Sequence, residues 1–267
     1  PWLVSVSANS AIYPYNNSLT SGPASSIQGL GNTELEWEKT KQLNIGMDLG
    51  LLKNKITLSA EYFQRKTDNL ILNVPIPPSF GYISTTVLQN VAAMENNGFE
   101  LQLGYNDREG DFKWNATANF ATITNKVTRL AEGVTNIEAG GDQDFGTYNI
   151  TNTAAGHAVQ SFYGWVAQGI FQDSADVKNH AKQTAGTGPG DLKFQDTNKD
   201  GVIDVNDRQF LGSFLPKFTY AFDLGVNYKN FDASVFFQGV QGNKIFNATR
   251  VITEGMVRFF NSGTEVL

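Results

Sequence analysis

The stretch "KQLNIGMDLGLLKNKITLSAEYF", residues 41–63, decides the fold. Leu43, Ile45, Met47, Leu49 and Leu51 fall on one side of an extended chain, and Gln42, Asn44, Gly46, Asp48 and Gly50 fall on the other. After Lys53 and Asn54 the alternation resumes, with Ile56, Leu58, Ala60 and Tyr62 opposed to Thr57, Ser59 and Glu61. Side chains alternate across a strand with a period of two, so the stretch reads as a hairpin of two amphipathic strands. Both runs exceed the roughly 5–6 residues of an average strand.

The pattern returns in "GFELQLGYN", residues 98–106, in "DFKWNATANFATI", residues 111–123, and in "KFTYAFDLGVNYKNFDASVFFQG", residues 217–239. Weaker strands are expected near Leu3 to Ala8 and Phe162 to Phe171, giving about eight strands and no helix with a clear signal. The links alternate in length. Turns at 52–54, 106–111 and 229–230 are short, whereas 68–95, 126–160 and 173–216 read as long loops rich in Gly, Pro, Asn and Thr. Short turns at one end and long loops at the other are the asymmetry of an outer-membrane barrel.

Alternation alone does not say whether the apolar side meets lipid or a second sheet. Two features favour lipid. A tilted strand needs about 9–11 residues to cross a bilayer, and these runs reach that length. Tyr105 and Phe112 flank one short turn, and Tyr228 and Phe231 another, as an interfacial aromatic girdle requires. The fold class expected is all-β: an antiparallel transmembrane β-barrel segment with long extracellular loops.

Composition narrows the function classes. The 267 residues are 40% hydrophobic and 17% charged, with a formal charge of −6, so no basic surface invites nucleic acid. With no cysteine, thiolate catalysis and disulfides are excluded. His157 and His180 stand far apart in polar stretches and read as loop residues. No apolar run is long enough for a membrane helix. The motifs H-E-x-x-H, G-x-S-x-G and G-x-x-x-x-G-K-[ST] are absent, and no catalytic residue is expected. The chain starts without Met or a basic signal head and ends at "NSGTEVL", which reads as a single partial barrel domain over 1–267, without signal peptide, cut from a longer polypeptide.

Within the loop 173–216, "DTNKDGVIDVND", residues 196–207, sets Asp196, Asn198, Asp200, Asp204 and Asp207 at positions 1, 3, 5, 9 and 12, with Gly201 at 6 and the carbonyl of Val202 at 7. Hard oxygen donors at that spacing suit Ca²⁺, bound as a structural staple because no helices flank the loop. Asp207 is a methylene shorter than the usual Glu at position 12. The alternative is a run of Asx-turns without metal, which favours the same residues.

"NTELEWEKTKQLNIGMDLGLLKNKITLSAEYFQRKTDNLILNVPIP", "NVAAMENNGFELQL", "FYGWVAQGIFQ" and "GDLKFQDTNKDGVIDVNDRQFLGSFLPKFTYAFDLGVNYKNFDASVFFQGVQGNKIFNATR" together resemble SusC/RagA-type TonB-dependent outer-membrane transporters of the Bacteroidota. The resemblance spans about residues 28–250 and places the chain in the C-terminal part of the barrel. It implies a roughly 22-stranded barrel closed by a plug domain that this chain lacks. It also implies import of glycan or peptide fragments with energy from the TonB complex, a SusD-like surface lipoprotein as partner, membrane lipid around the wall, and an extracellular position for the acidic segment. The alternative from the residues themselves is a secreted calcium-binding β-sandwich that holds carbohydrate through Phe80, Tyr82 and Trp165.

Overall fold

The structure, a computed structural model, describes residues 5–15, 18–29, 31–76, 79, 86–141 and 149–254. In chain order the strands are β1 (Ser5–Tyr15), β2 (Ser18–Gly29), β3 (Lys39–Leu51), β4 (Ile56–Pro75), β5 (Thr86–Asp107), β6 (Phe112–Leu130), β7 (Asn136–Ala139), β8 (Thr151–Ala154), β9 (Ser161–Gly164), β10 (Ala167–Ile170), β11 (Leu192–Phe194), β12 (Gln209–Gly212), β13 (Phe218–Tyr228) and β14 (Phe231–Gln241). Helices α1 (Ser174–Asn179) and α2 (Ala248–Glu254) are short. β1 and β2 pair with each other. The main sheet is six-stranded and antiparallel, in the order β14-β13-β6-β5-β4-β3. Everything between β6 and β13 is one excursion from its long-loop end. It carries a four-stranded sheet, β12-β9-β8-β7, and the ribbon β10-β11.

Register aligns the apolar positions into rows that cross all six strands. One row is Leu49, Leu58, Leu103, Ala118, Phe222 and Phe237, and the next is Leu51, Ile56, Tyr105, Ala116, Leu224 and Val235. The reverse face carries Asp48, Ser59, Gln102, Asn119, Ala221 and Gln238 in register. The sheet curls around that polar face, which holds hollows of about 530 and 700 Å³. The apolar face is therefore the convex one, the geometry of a barrel wall with a wet interior.

Neither face of the apolar band is covered by protein. All of β3 is exposed, and Ile45 and Phe237 are 61% and 60% accessible. The sandwich alternative needs one face packed on a second sheet, so the exposed Leu, Ile and Phe rows overturn it. The buried apolar side chains, Val87, Val91, Ala92, Ala93, Val127, Ile137 and Phe171, lie instead at the long-loop end and in the excursion. There the segment around Gly156 docks on β6: the Val127 amide donates to the His157 carbonyl at 2.8 Å and the Gly156 amide to the Val127 carbonyl at 2.8 Å.

Aromatic side chains mark both borders of the band. At the short turns Tyr105 packs on Trp114 with ring centroids 4.4 Å apart, and Phe112 lies 6.3 Å from Tyr228. Toward the long-loop end Phe120, Phe218 and Tyr220 form a second cluster. The 11 residues of β13 span these borders. At about 3.3 Å per residue and ~40° of tilt, they cover about 25 Å of membrane, the height of an outer-membrane apolar band. The band also steps along the register. On β3 it ends at Leu51, whereas on β6 it continues past the same row to Phe112. Such a stagger is what tilted strands require for the band to stay level.

Two expectations are corrected. The stretch 68–95 is mostly strand, because β4 runs to Pro75 and β5 begins at Thr86, carrying the wall well beyond the membrane. Fourteen strands are described against about eight expected, since short strands and α1 order much of the excursion. Leu3, Phe80 and Tyr82 lie outside the described residues.

The two-faced wall makes a paired prediction. In the intact protein, Leu103→Arg places a cation in hydrocarbon and costs about 2–4 kcal/mol, seen as loss of the heat-modifiable folded band on a gel. Its neighbour Gln102→Arg, on the wet face, keeps that band.

Candidate functional site

The excursion brings all the acidic-loop residues together, but points their side chains at the loop's own backbone. Asp196 accepts from the amides of Lys199 (2.7 Å) and Gly201 (2.9 Å). Asn198 accepts from the Asp200 amide (3.0 Å), and Asp200 accepts from the Val202 amide (2.8 Å) and the Asn198 side chain (2.9 Å). Asp204 accepts from the Asn206 amide (2.7 Å) and caps the 3-10 turn Val205–Asp207. Gly201 sits at φ +84°, where a side chain would strain the turn.

Asp207 closes the loop from inside. It is fully buried, and its carboxylate accepts from the amides of Thr197 (2.8 Å) and Asp204 (2.8 Å), with a longer bond from Asn198 (3.4 Å). Those backbone donors, the Asp204 amide foremost, hold its pKa below the ordinary carboxylate value. A parallel bridge fixes the peptide at Val202: the Lys182 amide donates to the Gly201 carbonyl (2.9 Å), and the Ile203 amide to the Lys182 carbonyl (2.8 Å).

A calcium shell would need Asp196, Asn198, Asp200, the Val202 carbonyl, Asp204 and Asp207 to turn their oxygens toward one point. In this arrangement they do not converge on one point: Asp196, Asn198, Asp200 and Asp204 turn toward loop amides and Asp207 toward the interior. Among the described residues no group of three or more acidic or histidine side chains is placed to hold a metal. The chain of Asx-turns is the geometry present.

The next residue shows what the loop positions. Arg208 is 8% exposed and reaches Glu138 of β7 with two bonds, 3.2 and 3.0 Å, and the Asn149 carbonyl at 2.7 Å. Its guanidinium lies 4.6 Å from the Tyr163 ring and 5.5 Å from the Trp165 ring. Trp165 is half-buried and donates its indole N–H to the Asp204 carbonyl at 2.7 Å, so it serves the module's packing. The acidic loop is thus the clamp that sets Arg208 into the four-stranded sheet. Of the histidines, His157 is exposed and stacks on Phe210, while His180 is half-buried against Phe171.

Sequence reasoning missed a second fastening. Residues 31–38 cross the β4–β5 extension where the register slips near Leu70 and Asn69 takes φ +58°. Glu38 accepts the amide of Ile71 (3.0 Å), and Asn90 bridges the carbonyls of Glu36 (2.9 Å) and Asn69 (2.7 Å). "NTELEWE" alternates, with Glu34, Glu36 and Glu38 against Leu35 and Trp37, yet forms no strand, and its three glutamates just before β3 are a readable sign of a strap that supplies acceptors.

On the wet face, Asp48, Glu61, Glu100 and Asp223 line the wall, and Glu61 and Glu100 stand directly opposite each other. Gly98 lets the Phe63 ring lie flat against β5, since a Cβ there would collide with the ring and with the Thr122 carbonyl.

Three outcomes follow for the clamp. Asp207→Ala opens the loop to protease cleavage within 196–207, whereas chelation leaves wild-type resistance unchanged; resistance that vanishes with chelator would restore the calcium assignment. A depressed folded pKa gives stability that is complete above the unfolded value near 3.8 and is lost as pH falls through the lower folded value, so limited proteolysis should show loosening only below about pH 4. Arg208→Ala strands Glu138 and loosens the module by on the order of 3 kcal/mol, read by hydrogen exchange at β7 and β9.

Comparison with known proteins agrees with this architecture. Residues 2–249 match the family described as TonB dependent receptor-like, beta-barrel. TonB-dependent receptor P3 of Formosa agariphila is 32% identical over 224 residues, covering 84% of this chain and 22% of that protein. TonB-dependent receptor SusC of Bacteroides thetaiotaomicron is 29% identical over 237 residues, again 84% of this chain and 22% of the relative. The chain thus spans about a quarter of the length of the curated relatives it matches. Among solved structures, the RagAB peptide transporter superposes over 94% of this chain and 26% of that one, with a TM-score of 0.70 at 23% identity. The RagAB importer in its open-open state gives 0.66 over 90% and 24%. With the family match over nearly its whole length, and a six-stranded wall that is apolar outside and polar within, the chain belongs to the TonB-dependent receptor β-barrel family.

Proposed function

We propose that the intact protein imports nutrients, as glycan or peptide fragments, across a Gram-negative outer membrane with energy delivered by the TonB complex. This chain supplies part of the barrel wall and an extracellular module. The observation that carries the reading is the two-faced sheet: a convex apolar band about 25 Å tall backed by a concave face of Asp, Glu, Asn, Gln and Ser. A wet interior of that kind suits a solute path.

The long-loop end supports the partner in the proposal. β4, β5 and β6, at 20, 22 and 19 residues, rise past the band and end in the ordered excursion. A rigid platform outside the membrane suits a SusD-like surface lipoprotein that delivers substrate to the barrel. The kinship with SusC and with the RagAB peptide transporter supports the substrate class without choosing between glycan and peptide.

Uptake by cells tests the reading. Cells carrying the intact protein should accumulate labelled oligosaccharides or peptides. An uncoupler should abolish accumulation, and Arg208→Ala should lower it several-fold without loss of the folded barrel. Accumulation that persists with the uncoupler, or recovery of the protein in a detergent-free soluble fraction, would overturn it.

A further inference from the structure

Above the apolar band, the outer face places two lysines where a sheet ordinarily avoids like charges. Lys41 of β3 and Lys66 of β4 are direct cross-strand partners, and Lys41 stands two residues beyond Leu43, the last apolar side chain of β3. Like charges facing each other across a ladder destabilise it. The same row continues through Glu95 of β5 to Lys126 of β6. Lys39 stands one row higher, opposite Asp68.

Among the described residues the acids on this face pair with Lys66 and Lys39 and leave Lys41 without an ion pair. Glu95 is held first by Gln64 at 2.6 Å and meets Lys66 only at 3.7 Å. Lys39 is paired at 3.5 Å with Glu36, both more than half exposed. Such exposed pairs contribute little. Lys41, Lys66 and Lys126 are all exposed.

We propose that the Lys41–Lys66 pair binds the phosphate of an anionic lipid headgroup in the outer leaflet. The site continues the lipid-facing band directly, so a lipid whose acyl chains lie along Leu43, Ile45 and Tyr62 carries its headgroup to the two ammonium groups. A phosphate between them removes the cross-strand repulsion and offers each an acceptor. Among the described residues the opposite border shows no such pair: Tyr105, Trp114, Phe112 and Tyr228 occupy it. The selectivity is therefore for one leaflet.

The test uses the intact protein in non-ionic detergent, offered phosphatidic acid or phosphatidylcholine of matched acyl chains, with retained lipid counted by native mass spectrometry. Wild type should prefer phosphatidic acid. Lys41→Gln with Lys66→Gln should cut that preference roughly tenfold or more, Lys41→Arg with Lys66→Arg should keep it, and Lys113→Gln with Lys229→Gln near the short turns should leave it unchanged. Millimolar inorganic phosphate should not displace the lipid. An unchanged preference in the Gln pair, an equal loss in the short-turn control, or displacement by inorganic phosphate alone would each overturn the proposal.

Discussion

A backbone that crosses hydrocarbon must satisfy every N–H and C=O within protein, because no water is present to accept them. The main sheet obeys this through uninterrupted ladders from β3 to β14, and the band contains none of the register slips. Its slips fall at Thr67–Ile71 and Ala93–Met94, above the lipid, where water and side chains can repair the ladder. Glu38 and Asn90 do so at the first of these. The same constraint explains why β3 and β14, as the edges of a six-stranded sheet, call for further wall on either side, in keeping with a chain that spans about a quarter of its relatives.

Pairing inside the membrane leaves the side chains free to divide by solvent. Outside the membrane the logic inverts. Once β5 and β6 leave the band they acquire buried neighbours, Val91, Ala92, Ala93 and Val127, and the chain spends its core-forming residues there. The excursion adds polar clamps that a lipid-facing strand could not use: Asp207 on backbone amides, Arg208 on Glu138 and on two aromatic rings. One polypeptide thus carries two kinds of stability, lipid-solvated below and protein-packed above.

How much of this the sequence disclosed follows the same division. Leu43 to Leu51 and Phe218 to Tyr228 alternate strictly because one side meets lipid and the other water, so their strands and faces were readable directly. The extensions were not. Residues 68–72 and 86–95 are half-buried or buried on both sides, and Asn69 breaks the period, so they resembled a loop. The acidic loop shows a different limit: Asp and Asn at alternate positions suit an ion or a run of backbone amides equally well, and only coordinates reveal where the oxygens turn. Arg208 and Glu138 lie 70 residues apart, a separation that leaves no local trace.

The central claim is that alternate residues of each long strand face hydrocarbon and water. The chain itself contains no cysteine, so single cysteines introduced along β5 at positions 99 to 105, in an otherwise cysteine-free form of the intact protein, can carry a spin label in a bilayer. Collision rates with oxygen, which concentrates in lipid, should peak at Phe99, Leu101, Leu103 and Tyr105, and those with a water-soluble nickel complex at Glu100, Gln102 and Gly104. Labels on the Leu side that are shielded from oxygen and nickel alike would mean protein packs against that face, and would contradict the account.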